Sequence, residues 1–252
     1  MLTALEVKQL AAAKKIDEYS LLREYLQVVF LKNFYEQPNC ETTFFKGGTA
    51  IKLVFGSFRF SEDLDFTTGG SQEVIQKLAT EALRKLCVDE NITGKLALIE
   101  TIKPNFSFRL TFSNLPLSAS QLFLKLDFST RENALEPQTS VLTTTLPVSP
   151  LPIIKHLSAR EIVAEKIRAI MHRSRGRDLF DLWYLLGRGE AIDWKFVERK
   201  LVYYHETISK EELQKRLANF SEKSLLLDLD KFLPENYRKV ELDLVNKIIK
   251  LL

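Results

Sequence analysis

Two short segments carry residue types suited to phosphoryl chemistry. The first is Phe45-Lys46-Gly47-Gly48-Thr49, and after thirteen intervening residues comes Asp63-Leu64-Asp65-Phe66. Glycines between a strand and a helix let the backbone approach a ligand closely, because no Cβ intervenes. The N-terminus of the following helix offers unpaired N–H groups and a partial positive charge. Together Lys46, Gly47 and Gly48 make a cradle for a triphosphate, with the Thr49 hydroxyl as a further donor. Asp63 and Asp65 are two apart on an extended segment, so their carboxylates share one face and Leu64 and Phe66 face the core. Paired carboxylates suit Mg²⁺, which bridges protein and nucleotide phosphates. Alone, a Gly-Gly pair is a turn and an Asp-x-Asp is a solvated strand face. At this spacing, flanked by matching elements, they read as one site.

A third acid would complete a two-metal site, and Asp127 is the best candidate. In Leu122-Phe123-Leu124-Lys125-Leu126-Asp127-Phe128 the residues Leu122, Leu124, Leu126 and Phe128 share one face, and Lys125 and Asp127 share the other. If this strand lies beside residues 63–67, three carboxylates converge. One Mg²⁺ would then activate an attacking hydroxyl and a second would hold the triphosphate and the leaving pyrophosphate. Catalysis would consist mostly of positioning and charge neutralisation. That predicts transfer of a nucleotidyl group from an NTP.

Further along, Lys166 sits mid-helix at the edge of an apolar stripe of Ile162, Val163, Ile167 and Ile170. It reads either as a snorkelling lysine or as a phosphate ligand. Arg173, Arg175 and Arg177 gather with Lys166 and Arg168 into a basic patch that could dock phosphate. Asp178 fits the N-cap of the next helix, whereas Asp181, one turn later, is less explained by capping. Tyr203-Tyr204-His205 could stack on a base but reads better as helix packing. His156, His172 and His205 show no metal spacing.

The elements that must hold these residues follow from periodicity. Residues 5–36 read as two helices, with Leu21, Leu22, Tyr25, Leu26, Val29 and Phe30 forming a buried stripe that stops at Gln37-Pro38-Asn39. Residues 43–46 are a short strand, 49–55 a short helix, 63–67 a strand ending at Gly69-Gly70, and 71–87 an amphipathic helix capped by Ser71. Strands follow at 95–101, 106–112 and 121–129, with a weaker one at 140–146. Three prolines within residues 146–152 suggest a boundary, giving a domain at 1–150 and an all-helical one at 151–252. The helical part opens with Ser158-Ala159-Arg160-Glu161, a capping-box pattern, and a second helix at 178–186 stops at Gly187. The expected class is α+β: a mixed sheet with flanking helices, then helices alone.

Composition sets the outer limits. With 252 residues, 45% apolar and 27% charged, the chain can bury a genuine core. No apolar run is long enough to span a bilayer, so no membrane partner is expected, and the N-terminus lacks the layout of a secretory signal. Cys40 and Cys87 form neither a metal spacing nor a disulfide framework, which makes a reducing cytoplasm the default location. The net charge of +3 permits a nucleic-acid partner without arguing for one.

Lys46-Gly47-Gly48-Thr49-Ala50, followed by Arg59-Phe60-Ser61-Glu62-Asp63-Leu64-Asp65-Phe66, resembles the AbiEii/AbiGii-type nucleotidyltransferase toxins of the DNA polymerase β-like superfamily. The resemblance continues in Leu124-Lys125-Leu126-Asp127-Phe128. It reappears in Glu165-Lys166-Ile167-Arg168-Ala169, Arg173 and Arg177-Asp178-Leu179-Phe180-Asp181-Leu182, and so spans roughly residues 44–186. It implies a polymerase β-like fold and a toxin of a toxin–antitoxin or phage-defence pair that moves nucleotides from an NTP, in some members to the 3′ end of tRNA. By position it implies that Gly48 and Thr49 belong to the phosphate loop, Asp63 and Asp65 bind metal, and Lys166 contacts nucleotide phosphates. It also makes Asp181 the acid of the last motif, with Asp178 a weaker candidate, and Ser61 a hydroxyl that a kinase-like antitoxin modifies in some systems. Phosphate there would repel Asp63 and compete for metal. Glu62 is a bulky, charged departure of little weight. The resemblance leaves open a protein or small-molecule acceptor and a non-catalytic member that only binds RNA or a partner.

Overall fold

The computed structural model describes residues 1–102, 104–117, 121–238 and 243–252. Its centre is a mixed seven-stranded sheet in the order β3-β4-β5-β2-β1-β7-β6. The strands are β1 (Thr43–Lys46), β2 (Leu64–Thr68), β3 (Thr93–Ile102), β4 (Asn105–Ser113), β5 (Leu122–Ser129), β6 (Pro137–Val141) and β7 (Ile153–Leu157). Alternation decides the faces: Leu64 and Phe66 in β2 and Leu122, Leu124, Leu126 and Phe128 in β5 are buried, while Asp65, Lys125 and Asp127 turn to the other side. The buried face is an aromatic layer, with Phe66 stacked on Phe128 at 4.8 Å between ring centroids and Phe34 reaching both.

Phe34 comes from the helical cover over this face. Helices α1 (Ala4–Lys14) and α2 (Glu18–Tyr35) start at Thr3 and Asp17, whose side chains accept backbone N–H groups as N-caps. After β1 come α3 (Gly47–Leu53) and then α4 (Gln72–Glu90), capped by Ser71. Helix α2 packs on α4, β5 and β7. The C-terminal part comprises α5 (Ala159–His172), α6 (Gly176–Gly187), α7 (Trp194–Leu201), α8 (Lys210–Ala218), α9 (Glu222–Leu229), α10 (Glu235–Arg238) and α11 (Leu244–Leu251). The class is α+β. Among the described residues no helix is long and apolar enough to cross a membrane.

Three local expectations need correction. The sheet does not end at the proline-rich break: β7 lies beyond it, runs parallel to β1 and antiparallel to β6, and buries Ile154, His156 and Leu157. A division at residue 150 therefore cuts the sheet; five residues beside prolines are too short a run to stand out by periodicity. The capping box at Ser158 is half formed. Ser158 Oγ accepts the Glu161 N–H at 3.1 Å, but the Glu161 carboxylate is buried elsewhere, on the Leu135 and Glu136 N–H groups and on Lys200. Asp178 is not an N-cap. Helix α6 begins at Gly176 after Arg175, which places Asp178 in the first turn, where two cations claim its carboxylate.

Candidate active site

The acids come together through strand register. Strands β2 and β5 run parallel with Asp65 opposite Asp127, and Asp63 immediately precedes β2. The Thr49 hydroxyl is buried and donates to the Asp63 carbonyl at 2.5 Å. It therefore positions the acid-bearing segment and is not available to a triphosphate, which corrects the expectation for Thr49. From α2, the Gln27 amide donates to the carbonyls of Ser61 and Glu62, and Arg23 draws the Glu62 carboxylate outward at 2.6 Å. Asp127 accepts from the Ser107 hydroxyl and pairs with Lys125 at 2.8 Å. Among the described residues none hydrogen-bonds the Asp63 or Asp65 carboxylates. Burial, then the nearby Asp127, raises the Asp63 carboxyl. Burial, Asp127 and Asp63 push Asp65 up to about 7 against the opposing pull of Lys46 and Lys166.

The acids edge a polar cavity of about 300 Å³ that is also lined by Gly48, Arg59, Ser61, Lys125, Lys166, Arg173, Arg175, Arg177 and Asp178. Three of its cations, Arg59, Lys166 and Arg173, are held by two carboxylates of α6. Asp181, fully buried, takes Arg59 in a bidentate pair, with both N–O distances 2.9 Å, and Lys166 at 2.7 Å. Asp178 takes Lys166 at 2.9 Å and Arg173 at 2.7 Å. Burial alone would lower the Lys166 ammonium, but Asp181 and Asp178 more than reverse this. Burial would likewise raise Asp178, and Lys166 and Arg173 instead hold it well below the usual carboxylate range. Asp181 does not line the cavity; it acts through Arg59 and Lys166. Arg175 is exposed and makes no ion pair or hydrogen bond with its guanidinium among the described residues.

The glycine pair has a protein-internal reason. Gly47 has φ +76°, and a Cβ there would run into the Asp65 carboxylate. A Cβ on Gly48 would meet Arg59 Nη2 and Ser61 Oγ. The two glycines let Asp65 and Arg59 close on the N-terminus of α3. The segment at 54–63 is clamped from the helical side. Tyr184 and Arg188 donate to the Phe55 carbonyl at 3.0 and 2.6 Å, and Phe58 packs on Phe180 and stacks on Tyr237.

A second cavity, of about 380 Å³, shares Asp65, Lys125 and Asp127 with the first and extends to Phe106, Arg131, Arg168 and Tyr204. Lys46 opens here and not onto the basic cavity. Its ammonium pairs with Glu132 at 2.6 Å and Glu165 at 3.0 Å, which corrects its placement as a phosphate ligand. Lys200 of α7, almost wholly buried, completes the cluster with Glu132, Glu161 and Glu165 at 2.9, 2.7 and 3.2 Å. Burial raises the Glu165 carboxyl, and the two lysines temper it; the same lysines overcome burial at Glu132 and hold it low. The Tyr204 hydroxyl donates to Glu132 at 2.9 Å.

With this geometry in view, the chain matches, over residues 29–247, the family described as "Nucleotidyl transferase AbiEii toxin, Type IV TA system". It belongs to the AbiEii nucleotidyltransferase toxin family. As a nucleotidyltransferase of a type IV toxin–antitoxin system, it takes an NTP as substrate and has an antitoxin as partner. Its fold is similar to that of MenT4, the nucleotidyltransferase toxin Rv2826c from Mycobacterium tuberculosis H37Rv, at TM-score 0.63 and 20% identity, covering 99% of this chain and 88% of that one. It is also similar to JHP933 from Helicobacter pylori, at TM-score 0.56 and 22% identity, covering 93% and 89%. Curated protein sequences hold no match to this chain.

In this AbiEii toxin, strand alternation, sequence spacing and the family resemblance together single out Asp63, Asp65, Asp127, Lys166, Arg173, Arg177 and Asp178, and the structure brings all seven to the basic cavity. Sequence reasoning missed the function of Arg59, although it lies two residues before Ser61 within the first motif. It also missed Glu132 and Lys200, which carry no local signal because each is explained only by partners far along the chain.

Proposed function

We propose that this toxin uses Mg²⁺ at Asp63, Asp65 and Asp127 to transfer nucleotides from an NTP to RNA, at the 3′ acceptor end of tRNA, in the cytoplasm. The observation that carries the reading is the position of Asp65 and Asp127 at the junction of a cation-lined cavity and a second, aromatic one, with Asp63 beside them on the wall of the first. The donor set fits the metal: all ligands are carboxylate oxygens, and those of Asp63 and Asp65 accept no hydrogen bond from the described residues. Among the described residues no three acids are gathered closely enough to form a ready-made ion site; triphosphate oxygens would complete the coordination. Mg²⁺, when bound, would offset the repulsion among the acids and polarise the α-phosphate.

The protein groups do the positioning. Lys166, Arg173, Arg175 and Arg177 receive the β- and γ-phosphates above Gly48, with Arg59 held behind by Asp181. The acceptor hydroxyl loses its proton to the Asp127 carboxylate as its oxygen bonds the α-phosphorus. The bond from that phosphorus to the bridging oxygen breaks, and pyrophosphate leaves with the electron pair. Ser61 shares this cavity, so a phosphoryl group on it would occupy phosphate space beside Asp63, a route to inactivation by the antitoxin.

Incubation with α-labelled NTPs, Mg²⁺ and total tRNA tests the reading. Label is expected in RNA, is abolished by chelation, and falls by at least about 10²-fold in Asp65→Asn without loss of thermal stability. Label found only on protein or small molecules, or an Asp65→Asn variant as active as wild type, would overturn it.

A further inference from the structure

The second cavity holds a set of groups that NTP binding in the first leaves unused. The Arg168 guanidinium lies on the Tyr204 ring, 3.6 Å from its centroid, and is kept flat by Nε and Nη2 donating to Glu206 at 3.1 and 2.9 Å. The ring is anchored in turn by its hydroxyl on Glu132. Arg131 sits 5.2 Å from the same ring, is exposed, and has no carboxylate partner among the described residues. The result is an arginine-on-tyrosine platform with an exposed cation beside it, both lining the cavity that Asp127 also lines.

In-line displacement decides what this platform faces. The attacking oxygen approaches the α-phosphorus opposite the leaving pyrophosphate. The basic cavity takes the pyrophosphate, and Asp65 and Asp127 line both cavities, so the acceptor enters from the second one. A volume of about 380 Å³ admits one nucleotide and excludes a duplex. Single-stranded RNA ends are recognised by stacking bases on aromatic rings or arginine planes.

We infer that this cavity is the acceptor subsite and seats the unpaired 3′-terminal nucleotide of an RNA, with the Arg168–Tyr204 platform stacking its base and Arg131 taking the preceding phosphate. The inference rests on the RNA reading of the function and adds the location and form of the acceptor. It also gives Tyr204 a part beyond helix packing.

The test uses the full chain with labelled NTPs, Mg²⁺ and two RNA probes, a short single-stranded oligoribonucleotide and a blunt-ended hairpin. The single strand is expected to be the better acceptor. Arg131→Ala, at an exposed position, is expected to raise KM for the single strand about tenfold and leave KM for NTP within about twofold. It also lowers the slope of log KM against log salt by about 0.7, the signature of one lost phosphate contact. Arg168→Lys keeps the charge and loses the plane, and raises the same KM to a similar extent. If both variants raise KM for NTP and not for RNA, the cavity holds the NTP base and the assignment is wrong. It is equally wrong if neither variant moves KM for RNA, or if the blunt hairpin serves as well. Wild type that labels no RNA at all overturns the function reading and the subsite with it, an outcome distinct from labelled RNA with unmoved constants.

Discussion

Two buried ionic clusters lie on opposite sides of Asp65 and carry opposite surpluses. Toward α6, the cations Arg59, Lys166 and Arg173 face two carboxylates, Asp178 and Asp181, and the cluster opens into a polar cavity. Toward α7, the carboxylates Glu132, Glu161 and Glu165 face two cations, Lys46 and Lys200. Glu132, Glu161 and Lys200 there are almost fully shielded from solvent. A cation surplus at a cavity wall is charge kept for a ligand. An acid surplus turned inward instead raises the Glu165 carboxyl, and its ion pairs tie α5 and α7 to the sheet. Equal numbers of charged residues thus do unlike work, depending on which sign is left over and whether it meets solvent.

The contrast can be broken from either side. Asp181→Ala leaves Arg59 and Lys166 buried without their shared partner. It is expected to cost about 3–5 kcal/mol of stability in urea unfolding and to weaken NTP binding in calorimetric titration. A stable variant, or one with unaltered NTP affinity, would erase the difference between the clusters. Lys200→Met is expected to cost a similar 3–5 kcal/mol while NTP affinity stays within about twofold. Its pH dependence has a definite sign. Glu165 is already raised in the folded state, so its ionisation disfavours folding as pH rises, and losing Lys200 enlarges that penalty. The Lys200→Met defect should therefore shrink as pH falls in paired unfolding curves.

Lys46→Met should do less damage, about 1–3 kcal/mol, because Lys200 still neutralises Glu132 and Glu165. A selective rise in KM for NTP in this variant would return Lys46 to the phosphate loop. The smallest effect on stability is expected for Arg175→Ala, within about 0.5 kcal/mol of wild type. As an exposed cation with no partner among the described residues, its loss should nevertheless weaken NTP binding by about 1 kcal/mol, roughly fivefold, in the same titration.

Much of the site was legible because its logic is local. The alternation through Leu64 and Phe66, and through Leu122 to Phe128, tells which side Asp65 and Asp127 face, since a strand has only two faces. Lys166 and the arginines up to Arg177 sit close in sequence around one helix junction, so their clustering also follows from spacing. Misreadings arose where a side chain chose among distant partners. Thr49 turns to the Asp63 carbonyl, Lys46 to Glu132 and Glu165, and Asp178 to Lys166 and Arg173.

By itself, then, the amino-acid sequence determined the α+β class, the acids of β2 and β5 and the basic junction between α5 and α6. Their periodicities and spacings act over a few residues, where backbone geometry is decisive. Only the tertiary structure decided that β7 joins the sheet beside β1, that Arg59 is gripped by Asp181, and that Lys200 closes a sealed cluster under the second cavity. Those outcomes depend on which elements meet across the fold. A buried charge takes whichever opposite charge packing brings within about 3 Å, and no local pattern encodes that partner.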